Sequence, residues 1–132
     1  MKFSLIKPVY AHCDVPCGIY ETDTMTHAAN TCKKMVEKIL DLGEIDSIAK
    51  QNTFVRMVMT KEEHAQRCKD QLYLLWSDYF KPEHLKKYPD LHDIFWNATK
   101  QCGKVKQTID KTEVKQLNDQ VHNIAHIFAD TQ

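Results

Sequence analysis

Glycine and proline are scarce in this chain, 3 and 4 among 132 residues. That is few turn-formers for a protein built from many strands, and it favours helices. Net charge is missing as well, because Lys plus Arg and Asp plus Glu cancel at 18 each. No global basic field exists to draw nucleic acid, so electrostatic steering must come from local clusters. No apolar run approaches the roughly 20 residues that a membrane helix needs. Neither nucleic acid nor a membrane is therefore expected as a partner. No segment alternates apolar and polar residues long enough for a convincing strand. The length suits one domain with a single modest core.

A disulfide framework is also absent. The 5 cysteines, Cys13, Cys17, Cys32, Cys68 and Cys102, are odd in number and lack framework spacing. This argues for thiols or metal ligands in a reducing compartment, taken here as the cytoplasm. The leader MKFSLIKPVYA has a short apolar stretch interrupted by Lys7 and Pro8, which makes a poor secretory signal. It ends in the small residue Ala11, as a cleavage site would, and residues 1–11 are expected to be a removable pro-segment.

Apolar residues fall on helical spacing in successive runs. Met25, Ala28, Cys32, Met35 and Ile39 form the first, with Gly43 as a C-terminal stop. Phe54, Val58, Ala65, Cys68, Leu72, Leu75 and Tyr79 form the second, broken by Lys61 and ended by Pro82. Leu91, Ile94, Phe95, Ala98 and Cys102 form the third, closing near Gly103, and Val114, Leu117, Val121, Ile124 and Phe128 form the fourth. Alternating steps of three and four predict an all-α fold: an antiparallel up-down four-helix bundle over residues 22–130 with an irregular N-terminal arm. The stretch 103–111 reads as the loosest connection. Cys32, Cys68 and Cys102 lie on apolar stripes and read as core. Trp76 and Phe80 read as packing residues. His122 and His126 share a helix face but lack a third ligand nearby, so a solvated or hydrogen-bonded pair is expected.

Cys13 and Cys17 are different, because HCDVPCGIY (residues 12–20) lies off every helical stripe and is punctuated by Pro16 and Gly18. If the chain begins at His12, its α-amine is released. That amine, the deprotonated amide nitrogen of Cys13 and the thiolates of Cys13 and Cys17 make a planar set of two nitrogens and two sulfurs. Such a set favours Ni(II) or Cu(II) over tetrahedral zinc, with the His12 imidazole as an axial ligand. Anionic sulfurs and an anionic amide stabilise the higher metal charge and bring one-electron chemistry within reach. While Ala11 remains attached, its carbonyl turns the amine into an amide and the set cannot form.

This stretch resembles the nickel hook of the nickel superoxide dismutases, His-Cys-x-x-Pro-Cys-Gly-x-Tyr. LWSDYFKPEHLKKYPDLH, residues 75–92, is similar to that family's second signature. The resemblance implies a domain over residues 12–132 and a nickel ion in each subunit of a homohexamer. It also implies an N-terminal extension removed by a dedicated peptidase. The implied activity is disproportionation of superoxide to dioxygen and hydrogen peroxide. By resemblance, His12, Cys13 and Cys17 are the metal ligands, and Asp14 fixes the hook. Tyr20 and Tyr79 form its outer shell, and Lys81 offers positive charge to an anionic substrate. Some family members carry glutamate at the position of Ala28 and arginine at that of His64, a pair that steadies the hook histidine. The alternative is a protein that stores nickel on the same hook without turnover.

Overall fold

The computed structural model describes residues 18–132. The expectations for the leader and for His12, Cys13, Asp14 and Cys17 lie outside the described residues.

Four long helices carry the fold: α1 (Asp23–Asp41), α2 (Ile48–Leu74), α4 (Leu91–Gln107) and α5 (Lys111–Asp130), with the short α3 (Pro82–Lys87) between α2 and α4. Their ends follow local chemistry. The Glu21 carboxylate accepts the Thr24 N–H at 2.9 Å at the start of α1. Ser47 caps α2 by accepting from the Lys50 N–H at 3.1 Å, and Asp110 caps α5 by accepting from Thr112 and Glu113. Past α1 the chain turns at Gly43, whose φ of 65° is open to glycine at little cost.

The expected stop at Gly103 is not where the third long helix ends. α4 runs on to Gln107, because Val105 continues the apolar stripe and is fully buried. The connection to α5 is only residues 108–110. Helix α1 packs on α2 and α5, and α4 packs on the same two, so the long helices close a ring around one core. Chain neighbours joined by short connections lie side by side and antiparallel, as the periodicity predicts.

The core holds Cys32, Cys68 and Cys102 with Met25, Leu72, Phe95, Leu117 and Ile124. Lys61, which interrupts the second apolar run, is 1 % exposed. Its ammonium donates to the carbonyls of Val105 at 2.5 Å and Lys106 at 2.7 Å. A cation thus meets the carbonyl-rich C-terminal end of α4, where the helix dipole favours it. Burial pushes Lys61 below the ordinary lysine range, opposed by neighbouring Glu62 and Cys32. Buried Asn118 ties α5 to α1 through the Ala29 carbonyl at 3.0 Å. Gln101 ties α4 to α5 through the Glu113 carbonyl at 2.9 Å.

Candidate metal centre and its outer shell

The second signature does not continue α2 as a regular helix. Residues Leu75–Tyr79 form a π-helical turn, closed by the Phe80 N–H on the Leu75 carbonyl at 3.1 Å. A single π turn admits an extra residue and shifts the phase of the residues beyond it, a device common at functional sites. Phe80 and Lys81 then run extended, as the residue before Pro82 must. Helix α3 restarts with that proline at its first position. The His84 ring closes this corner, its Nδ1 accepting the Lys81 backbone N–H at 3.1 Å.

Tyr79 lies at the centre of an aromatic cluster. The rings of Phe128, Phe80, Tyr20 and His84 have centroids 4.6, 4.9, 5.6 and 5.8 Å from its own. Its phenol meets the Thr131 hydroxyl at 2.7 Å and accepts from the Gln132 side-chain amide at 2.5 Å. Tyr20 reaches the cluster from just before α1, and the chain enters through Gly18, whose φ is 95°. A side chain there would be strained whatever space surrounds it. The structure therefore brings Tyr20 and Tyr79 together. Lys81 is half-buried on the adjoining corner, its ammonium 4.0 Å from the Glu83 carboxylate.

Sequence reasoning missed the participation of His84, Thr131 and Gln132. His84 has a faint signal, since it stands three residues after the cap position of α3. Thr131 lies 52 residues from Tyr79, and no periodicity connects them. Trp76 departs from expectation. It is 43 % exposed, and its indole N–H donates to His92 Nδ1 at 2.9 Å. With Tyr73 and Trp96 it lines a cavity of about 340 Å³ on the outside of the bundle. Phe80 is partly buried and packs against the core as expected. Ala28 is sealed in the core. His64 Nδ1 sits 2.9 Å from the Thr60 carbonyl, with the His27 ring edge-on at 6.3 Å.

Among the described residues, no three His, Cys, Asp or Glu side chains come together as a metal site. Cys32 and Cys68 in the bundle are also poor ligands. Burial first, then the neighbouring Cys102, pushes the Cys32 thiol up to about 12. A hydrogen bond with Cys102, followed by burial, pushes Cys68 up strongly. A thiol held protonated in an apolar core neither ligates nor attacks. The remaining cysteines, Cys13 and Cys17, stand beside His12 and Pro16 in a donor set whose chemistry fits a nickel ion.

Known proteins resemble this chain along most of its length. The sequence profile of a family described as nickel-containing superoxide dismutase matches residues 7–132. The superoxide dismutase [Ni] of Streptomyces seoulensis is 35 % identical over 124 residues, 94 % of this chain and 90 % of that protein. Its counterpart from Streptomyces coelicolor is 34 % identical over the same lengths. The native structure of a nickel superoxide dismutase superposes with a TM-score of 0.79 at 34 % identity, covering 91 % of this chain and 98 % of that one. An apo structure superposes with a TM-score of 0.76 at 31 % identity, covering 86 % and 97 %. The match takes in the arm and the whole bundle together, and the chain belongs to the nickel-containing superoxide dismutase family.

Proposed function

We propose that this chain disproportionates superoxide to dioxygen and hydrogen peroxide once it begins at His12. Residues 1–11 are the segment a peptidase removes, and residues 12–132 are the working domain. The observation that carries the reading is the packing of Tyr20 on Tyr79 with ring centroids 5.6 Å apart. It joins the end of the hook motif to the second signature, and a simple nickel carrier has no need of that outer shell.

In this reading His12 gives its amine and imidazole, Cys13 its amide nitrogen and thiolate, and Cys17 the second thiolate. Bound nickel supplies a one-electron couple between its divalent and trivalent states, which both halves of the reaction use. The chain's own residues govern access and protons. Covalent geometry alone keeps Cys17, three residues before Tyr20, within about 11 Å of it between α-carbons. The paired phenols then narrow the approach, so that a two-atom anion passes and larger ones do not. Lys81 adds local positive charge, in a protein without net charge, and so raises the concentration of anion at this corner. Asp14 holds the hook through its hydrogen bonds. Two protons are taken up for each peroxide formed, and the tyrosines order the water that delivers them.

The exposed aromatic face of Tyr73, Trp76 and Trp96 supports assembly into a homohexamer, since apolar patches of this kind mark subunit contacts. Three buried free thiols support a reducing compartment, the cytoplasm. No helix among the described residues is long and apolar enough to cross a membrane.

The test compares superoxide decay, with nickel added, for a chain starting at His12 and one starting at Met1. Rapid decay with the trimmed chain alone is the expected result. Nickel bound to the trimmed chain without decay would instead leave a nickel-storing protein.

A further inference from the structure

The hydrogen bonds around Tyr79 fix the direction of its proton. A threonine hydroxyl has one proton to give, and that of Thr131 goes to the Phe128 carbonyl at 2.7 Å. At the 2.7 Å contact between Thr131 and Tyr79, the phenol must therefore be the donor. One of the phenol's two acceptor positions is taken by the Gln132 amide. That amide is held in turn by the Phe128 carbonyl, at 3.5 Å. The backbone of this pair is fastened to the last turn of α5, with the Thr131 N–H on Ile127 and Phe128 and the Gln132 N–H on Ala129. The Phe128 side chain packs its ring against Tyr79 from the same turn.

We infer that Thr131 and Gln132 are positioning residues for Tyr79: they commit its proton to the C-terminal end of α5 and leave the phenol as an acceptor only. A superoxide anion brings no proton, so Tyr79 has no bond to offer it. Water or newly formed hydrogen peroxide does bring one, and Tyr79 can accept from either. The phenol thus selects for proton donors at the site without retaining the anionic substrate. For its place in the chemistry this inference rests on the dismutase reading. The bond directions stand on the structure alone.

The test uses Thr131→Val, which keeps the side-chain shape and removes the acceptor, with Thr131→Ser as the conservative variant. In full-length chain carrying isotopically labelled tyrosine, infrared difference spectra identify the Tyr79 C–O stretch by its loss in Tyr79→Phe. That band distinguishes a donating phenol from an accepting one. It is expected to shift in Thr131→Val and to return in Thr131→Ser. Gln132→Ala, at an exposed position, should move it in the opposite sense, because a donor rather than an acceptor is removed. In the nickel-loaded chain starting at His12, superoxide decay should fall about fivefold in Thr131→Val, the effect of one lost hydrogen bond. Nickel content should not change, and serine should restore the rate. A band unmoved in Thr131→Val, or equal shifts in the valine and serine variants, would overturn the assignment. The infrared arm needs no nickel, so an inactive wild-type chain would count against the dismutase reading alone.

Discussion

The five cysteines divide between two regions of the molecule that treat the same side chain in opposite ways. Cys13 and Cys17 lie in an arm with a histidine between them and the leader, a proline, a glycine and no helical stripe. Cys32, Cys68 and Cys102 sit in the bundle core with no exposed surface. A thiol ligates when it can shed its proton, and at Cys32 and Cys68 the core opposes that by burial and by a neighbouring thiol. Residue type alone therefore decides nothing about the metal; environment does. The core cysteines act as small apolar groups, and the proposed nickel site draws on the other pair, Cys13 and Cys17.

Removing a thiol from each region breaks the comparison most sharply. Cys17→Ser in the chain starting at His12 should lose nickel binding and drop superoxide decay to background, whereas Cys68→Ala should keep both. Metal analysis beside the decay assay reads the contrast. The next largest effect is on folding. Lys61→Ala leaves the Val105 and Lys106 carbonyls without their ammonium donor and opens a cavity, so it should cost about 3 kcal/mol in denaturant melts. Nickel stoichiometry should stay unchanged if the two regions are independent.

Smaller effects sharpen the same division. Lys81→Gln should lower the rate about two- to threefold at low salt and flatten its dependence on ionic strength, measured by stopped flow. Alkali should act on the core through Cys32. The Cys32 thiol is raised from 9.0 to about 12 in the fold, so its contribution to stability is complete below pH 9.0. It is lost as pH rises toward 12, because the unfolded chain releases a proton that the folded one keeps. Thermal melts of Cys32→Ala should therefore decline less steeply above about pH 9 than those of the parent. At the acid end Lys87 and Tyr88 hold Asp130 below the usual carboxylate range. Asp130→Asn should abolish a small loss of melting temperature that sets in as pH falls below the ordinary carboxyl value of 3.8 and is complete once it has passed the lower folded value.

Much of the bundle is legible in the sequence, since period-3.6 burial is a local signal that repeats along each helix. All five apolar positions named for the fourth run, from Val114 to Phe128, are buried. Legibility fails where a distant partner overrides the local cue. Gly103 reads as a stop, yet burial of Val105 carries the helix past it. Lys61 reads as a flaw in the stripe, and its reason lies 44 residues away at Val105. The π turn at 75–79 cannot be seen in a spacing that its apolar residues satisfy on average. Trp76 comes directly after fully buried Leu75, and the outer face on which it stands emerges only from the packing. For the site, Tyr20 and Tyr79 were legible through motifs, whereas His84, Thr131 and Gln132 depend on how α3 and the end of α5 meet the turn.

The most direct measurement is nickel X-ray absorption on the nickel-loaded chain starting at His12, beside its Cys32→Ala, Cys68→Ala and Cys102→Ala variants. The account predicts sulfur coordination from Cys13 and Cys17, unchanged in every core variant and lost in Cys17→Ser. A nickel site that loses sulfur when a core cysteine is removed, or keeps all of its sulfur without Cys17, would contradict it.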